Sequence, residues 1–195
     1  MGARSRNLFE GKLVRLRGVE PEDADTFHTW NADTEAARSG YRIPFPVSRE
    51  QQRQWAARVA LQEGADDTFL FLIETLACEA VGSLSTHACD RRNGTFSYGV
   101  FIAAEHRHHG YAHDAIHLLL DYFFRELRYQ KATVRIYSFN EPSLALHMRL
   151  GFVQEGRLRR MIFTGGQFHD EILLGMTAEE FDAKNGPRRM GPGVP

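Results

Sequence analysis

The chain has 195 residues, 43% of them hydrophobic and 25% charged, enough for one domain with a sizeable core and too ordinary for a disordered or fibrous protein. Its formal net charge of -1 gives no general attraction to nucleic acid or to an anionic membrane, so any anionic ligand must be held by a local site. Cys78 and Cys89 have the spacing of neither a metal nor a redox motif, and no apolar run approaches the roughly 18 residues needed to span a bilayer.

Taken in chain order, KLVRLRGV at 12–19 alternates apolar and basic residues, which suits an edge strand with one wet face. EPEDADTFHTW at 20–30 opens a helix, with Pro21 in its first turn and acids gathered where the helix dipole favours them. YRIPFPVS carries two prolines and reads as a stiffened loop. Ser48 to Gln51 then has capping-box spacing for a helix that begins near Arg49. From Thr68 the period shortens, and 68–75, 80–88 and 94–102 read as three consecutive antiparallel strands, the last pair joined at Asn93-Gly94.

Beyond the hexapeptide RHHGYA, Ile116, Leu119, Leu120, Phe123, Phe124 and Leu127 form one broad apolar stripe on a helix of about four turns. KATVRIYSF is then a buried strand reached by a helical crossover, hence parallel to YGVFI. NEPSLALHMRLGF reads as a short helix with Pro142 near its start and Gly151 as its stop. The strands 159–166 and 167–176 pair across Gly165-Gly166. No repeat or linker divides the chain, so residues 1–184 are expected to form one α+β domain and 185–195, rich in Gly and Pro, a flexible tail.

Why a strand should run into a helix through two histidines and a glycine has three answers: an anion cradle, a metal site or an ordinary turn. The first N–H groups of a helix lack intrahelical partners and point at whatever sits on the helix end, where the dipole favours negative charge. Gly110 permits close backbone approach, Ala112 does not obstruct it, and Arg107 can add a charge to a phosphate oxygen. His109, His113 and His117 recur at i, i+4, i+8, and HDAIH resembles a paired-histidine zinc motif on the surface. The apolar stripe leaves them on the other side of the helix, with no further ligand in view, so no metal is expected.

R-x-x-G-x-A at 107–112, followed by Asn140, Ser143, His147, Arg149 and Gly151-Phe152, resembles the signature of the Gcn5-related N-acetyltransferases, the GNAT superfamily. LVRLR, Trp30, FPVS, GFVQEGRLR and GGQFHDEI extend the likeness over nearly the whole chain. They are similar to the ribosomal-protein N-terminal and spermidine acetyltransferases within that superfamily. The resemblance implies a GNAT fold, a single mixed and mostly antiparallel sheet flanked by helices, with one parallel strand pair splayed for acetyl-CoA. It implies acetyl-CoA as co-substrate, with pantetheine pairing to the backbone of Val100, Phe101 and Ile102 as an added strand. The pyrophosphate would rest on the amides of Arg107, His108, His109, Gly110, Tyr111 and Ala112, with Asn140 holding the arm from the other side and Ser143 and Arg149 completing the cofactor set. His147 falls where relatives carry a tyrosine that protonates the departing thiolate. A histidine there can act as acid, act as base through a water, or be a plain helix residue while positioning alone drives catalysis.

Glu74 and Glu105 are further candidate bases. Trp30, Tyr41, Phe45 and Trp55 are expected to wall the acceptor site or to serve as core, while Arg157, Arg159 and Arg160 face an acidic acceptor or solvate a strand edge. Together these residues predict a cytoplasmic N-acetyltransferase moving acetyl to a primary amine by direct attack, since neither cysteine has the setting of a nucleophile. A protein N-terminus, a polyamine or a small amino metabolite are the candidate acceptors, the polyamine being disfavoured because YRIPFPV offers no acid. No nucleic acid or membrane partner is expected, MGARSRNLFE lacks the apolar segment of a signal peptide, and a homodimer is left open. A non-catalytic acyl-CoA sensor on the same fold and a metal hydrolase are the alternatives.

Overall fold

The computed structural model of the protein describes residues 7–40 and 43–186, so the expectations for Tyr41 and for the tail beyond Gly186 lie outside the described residues. Alternation in the first apolar run gives β1 (Val14–Gly18), with Val14 and Leu16 buried and Arg15 and Arg17 on the wetter face. A 3-10 turn at Pro21–Asp23 leads into α1 (Ala24–Trp30), and α2 (Thr34–Gly40) follows. α3 (Arg49–Ala60) starts where expected, because Ser48 Oγ accepts the Gln51 N–H at 3.1 Å, although Gln51 does not return the bond.

The three short apolar runs are β2 (Leu70–Thr75), β3 (Ala80–Asp90) and β4 (Thr95–Ile102), antiparallel in succession. After the glycine turn come α4 (Tyr111–Arg125), β5 (Lys131–Tyr137) and α5 (Glu141–Leu150), then β6 (Val153–Thr164), β7 (Gln167–Thr177) and α6 (Ala178–Asn185). Among the described residues seven strands make one sheet in the order β1-β2-β3-β4-β5-β7-β6, and β4 with β5 is its one parallel pair. β1 is an edge, as its half-wet alternation requires.

Side chains alternate across this sheet, and the two faces differ. Phe96 and Tyr98 of β4, Val134 and Ile136 of β5 and Ile172 and Leu174 of β7 join Ile116, Leu119, Leu120, Phe123 and Phe124 of α4 in one buried cluster that also takes in Phe181 of α6. Phe96 stacks on Phe123 with ring centroids 4.3 Å apart. On the other face a smaller cluster of Val19, Phe27 and Leu72 lies under Trp30 and Trp55. The stripe read from the sequence is therefore the face of α4 that builds the core.

Two helices and the start of one strand had no counterpart in the sequence reading. α2 buries no residue, so it carries no apolar period to be read. α6 buries only Phe181 but is announced by a capping box, with Thr177 Oγ1 accepting from Glu180 N at 3.3 Å and Glu180 Oε2 from Thr177 N at 2.8 Å. β6 begins at Val153 rather than Arg159, because the residues between are exposed or half-buried on both faces and show no alternation.

Candidate active site

The site begins where the parallel pair ends. β4 and β5 are in register only at Thr95↔Lys131, Phe96↔Ala132 and Ser97↔Thr133, while β4 continues to Ile102 and β5 to Tyr137. On its other side β4 stays paired to β3 as far as Gly82↔Ile102. In an antiparallel ladder the backbone groups of successive residues face alternate neighbours. Ala103 N donates to Val81 O at 3.0 Å, and a side chain on Gly82 would run into the Phe101 carbonyl, so residues 101 and 103 face β3. The backbone groups turned into the gap are those of Tyr98, Val100 and Ile102. Phe101 thus turns its backbone away from the gap that the sequence reading assigned to it along with Val100 and Ile102.

The turn after β4 opens onto the same gap. His108 and Gly110 both adopt positive φ, +66° and +83°, and Gly110 is the N-cap residue of α4. The first helical bond is Asp114 N to Gly110 O at 3.1 Å. Among the described residues the amides of 108–113 have no acceptor, which leaves a run of outward N–H groups on a helix end of the kind that binds phosphate. Ring stacking of His109 on Tyr111 and a 3.2 Å contact of His109 Nδ1 with His106 O fix the turn's outer side. Asp114 Oδ2, in the first turn of α4, accepts from the N–H groups of Leu13 and Val14 at 2.7 and 3.1 Å, which ties the segment before β1 to this helix end. Arg107 points elsewhere: its Nε donates to Ile102 O at 3.2 Å and its Nη2 lies 3.5 Å from Asp33. It closes one of the gap-facing carbonyls from within the chain instead of reaching over the turn.

α5 follows the open end of β5 and packs His147 against Tyr98. Asn140 caps it, its Oδ1 accepting the Ser143 N–H at 3.2 Å. One turn further on, His147 is only 2% exposed, and its ring lies between Tyr98 at 5.8 Å and Phe152 at 5.2 Å. Its Nδ1 sits 2.8 Å from Ser143 O, an acceptor only, so that nitrogen carries the proton and Nε2 presents a bare lone pair. Nε2 and the nearby Tyr98 hydroxyl are both buried without a hydrogen-bond partner. Burial pushes the His147 imidazole below its ordinary titration range and holds the Tyr98 phenol neutral well above its own. The plain helix residue of the sequence reading is thus a buried, neutral imidazole stacked on Tyr98, the first residue of β4 past the parallel pairing.

The model of the acetyltransferase (GNAT) domain matches residues 14–153. The chain belongs to the GNAT acetyltransferases. It is 39% identical over 178 residues to the SPbeta prophage-derived uncharacterized N-acetyltransferase YokL of Bacillus subtilis, covering 91% of this chain and 97% of the relative. Spermidine N(1)-acetyltransferase of Escherichia coli is 23% identical over 172 residues, 88% of this chain and 90% of its own. Among solved structures, spermidine N-acetyltransferase from Vibrio cholerae in complex with CoA and spermine superposes with a TM-score of 0.76 at 21% identity, covering 86% and 97% of the two chains. Family membership makes the protein an acetyl-CoA-dependent acyltransferase.

Within this GNAT domain the remaining sequence candidates divide. Arg149 lies with Lys184 of α6, which donates to its carbonyl, and both lower the titration of His113 in the first turn of α4, after burial and His117. A basic cluster therefore stands beside the outward amides, and Lys184 was not foreseen because its helix was not. His117 meets Asn185 at 3.2 Å and Phe181 at 5.2 Å, packing α4 on α6. Glu74 is held by Arg15 and Arg17 between β1 and β2, which leaves it no freedom to act as a base. Glu105 is exposed. Trp30 packs on Phe27 and Phe101, and Trp55 on Phe27, as core; Phe45 is 93% exposed. Arg157 and the Arg160 N–H hold Asp170 at 2.6 and 2.9 Å, and the Arg160 guanidinium covers the Phe168 ring, so these two serve the β6–β7 hairpin. Among the described residues no helix is long and apolar enough to cross a membrane.

Proposed function

We propose that the protein transfers acetyl from acetyl-CoA to a primary amine by direct attack at the mouth of the gap between β4 and β5. The observation that carries this reading is the parting of the strands after Ser97↔Thr133, with the open half of β4 running straight into a helix end whose amides at 108–113 have no acceptor among the described residues. Pantetheine pairs with the gap-facing groups of Val100 and Ile102, Arg107 yielding the Ile102 carbonyl. The pyrophosphate takes the amides of His108 to Ala112, and Arg149 with Lys184 offsets its remaining charge. CoA and spermine together in the Vibrio cholerae neighbour support a CoA donor and an amine acceptor here.

Both thiols argue against a covalent intermediate. Cys89 is tucked against Asp67 with its thiol pushed up by burial, and Cys78 meets Arg15 Nη2 at 3.1 Å on the β1–β2 side. The acceptor ammonium first gives one proton to solvent, the neutral amine then forms the C–N bond, the C–S bond breaks, and CoA leaves as thiolate. In the Nδ1–H tautomer His147 can only accept at Nε2, so we assign it the proton lost by the amine, taken through a water and passed on to the thiolate. Titration with acetyl-CoA should raise the thermal midpoint with occupancy, and free CoA should then appear with one of a seryl tetrapeptide, spermidine or an amino-sugar. Stabilisation without CoA release on any amine would identify the acyl-CoA sensor instead, and no stabilisation at millimolar acetyl-CoA would overturn the reading.

A further inference from the structure

Past the end of the parallel pairing, the face of β5 and β7 away from the main core gathers aromatic rings around one carboxylate. Tyr137 of β5 stands opposite Glu171 of β7, and Arg135 opposite Leu173. Because Val134, Ile136, Ile172 and Leu174 are core, these four lie on the opposite face, the one on which Phe101 of β4 meets Trp30. Tyr137 stacks on Phe139 at 5.7 Å, and Phe139 meets the His169 ring edge-on at 4.8 Å. Arg38 of α2 reaches Thr164 at 2.9 Å, which ties α2 to the tip of the neighbouring β6–β7 hairpin.

Glu171 is the anomaly. It is 7% exposed, yet among the described residues its one polar partner is Arg135 Nη1 at 3.3 Å, and the Arg135 side chain is itself 63% exposed. A buried carboxylate normally accepts several hydrogen bonds or is tightly paired, since desolvating its charge is otherwise unfavourable. Here there is one long contact to an exposed guanidinium, and neither Glu171 oxygen is among the buried side-chain atoms left without a partner, so the carboxylate keeps a lone pair at the surface for an incoming donor. Three aromatic rings beside a carboxylate short of donors make a site for a protonated primary amine, whose N–H groups the carboxylate accepts and whose charge the ring faces favour. We infer that Glu171, with Tyr137, Phe139 and His169, forms the acceptor-ammonium subsite, and that Arg135 is a resident cation which the substrate displaces.

This inference rests on the amine-acceptor reading but is tested without turnover. In the intact, CoA-loaded protein, benzylammonium followed by NMR titration should bind at least tenfold more tightly than benzyl alcohol, its neutral isostere. Glu171→Gln should erase that preference with CoA affinity unchanged, and Arg135→Gln, a change at an exposed side chain, should tighten benzylammonium severalfold. Equal binding of the two probes, a preference surviving Glu171→Gln, or a weaker ammonium in Arg135→Gln would each overturn the subsite. Failure of CoA to bind would instead strike the acetyltransfer reading and leave the ammonium preference to be judged separately.

Discussion

The two halves of β4 are one strand with one alternation and opposite duties. From Thr95 to Ser97 it is paired on both sides, and Phe96 is 1% exposed among Phe123, Phe124 and Tyr129. From Tyr98 to Ile102 it keeps β3 and loses β5, so the same backbone offers unpaired groups to the gap. The first half gains from every bond it makes, and the second is useful for the bonds it leaves unmade. A buried backbone group without a partner costs free energy, and the closed half holds the strand in place while the open half bears that cost.

The sharpest way to break the comparison is at Phe96. Phe96→Ala removes a ring from a fully packed aromatic cluster and should lower unfolding free energy by about 3–5 kcal/mol, read as a fall in the denaturant midpoint, with acetyl-CoA affinity of the remaining folded protein within about twofold. A larger loss of affinity than of stability would mean that the halves are not separable.

A smaller effect is expected at His147, just across the boundary. His147→Ala and His147→Phe should each lower kcat by about 10²-fold while acetyl-CoA binding holds. In a base role the neutral imidazole is the working form, so the rate falls as pH drops through its folded pKa. Because burial lowers that pKa, the fall comes below the ordinary histidine range and vanishes in His147→Phe. Stability shares the sign: the unfolded chain takes up protons just below about pH 6.5 that the folded chain refuses at His147, His87 and His113, so stability is lost as pH falls through that window. His147→Phe should flatten part of that loss in urea melts at stepped pH.

The smallest effect is at the turn. Gly110 has φ +83°, and a Cβ there would come 3.3 Å from Leu13. Gly110→Val should cost about 1–3 kcal/mol of backbone strain and weaken acetyl-CoA at least tenfold by calorimetry, roughly 1.4 kcal/mol. Unchanged affinity in a folded variant would remove the turn from the site.

Much of this was legible because periodicity survives where one face is buried. The stripe from Ile116 to Phe124 announced its helix, and the runs at Phe71, Leu84 and Phe96 their strands, from spacing alone, and all of them end in one core. α2 and the first half of β6 bury almost nothing and left no pattern. The gap could be expected only through the family resemblance, since no local rule says where a parallel pair stops. Glu171 escaped notice for another reason: in FHDEILL it is one of two adjacent acids in mid-strand, and only the register with Tyr137 shows which neighbours it faces. Arg107 was a candidate from the glycine turn and Asn140 through the family resemblance, but which way Arg107 turns is decided by the Ile102 carbonyl, which no sequence shows.

Amide hydrogen exchange by NMR, with and without acetyl-CoA, addresses the divided strand most directly. Binding should protect Val100, Ile102 and residues 108–112, while Phe101, already turned to β3, and Phe96 stay as they were. Protection that skips Val100 and Ile102, or that falls on Phe101 in their place, would contradict the account.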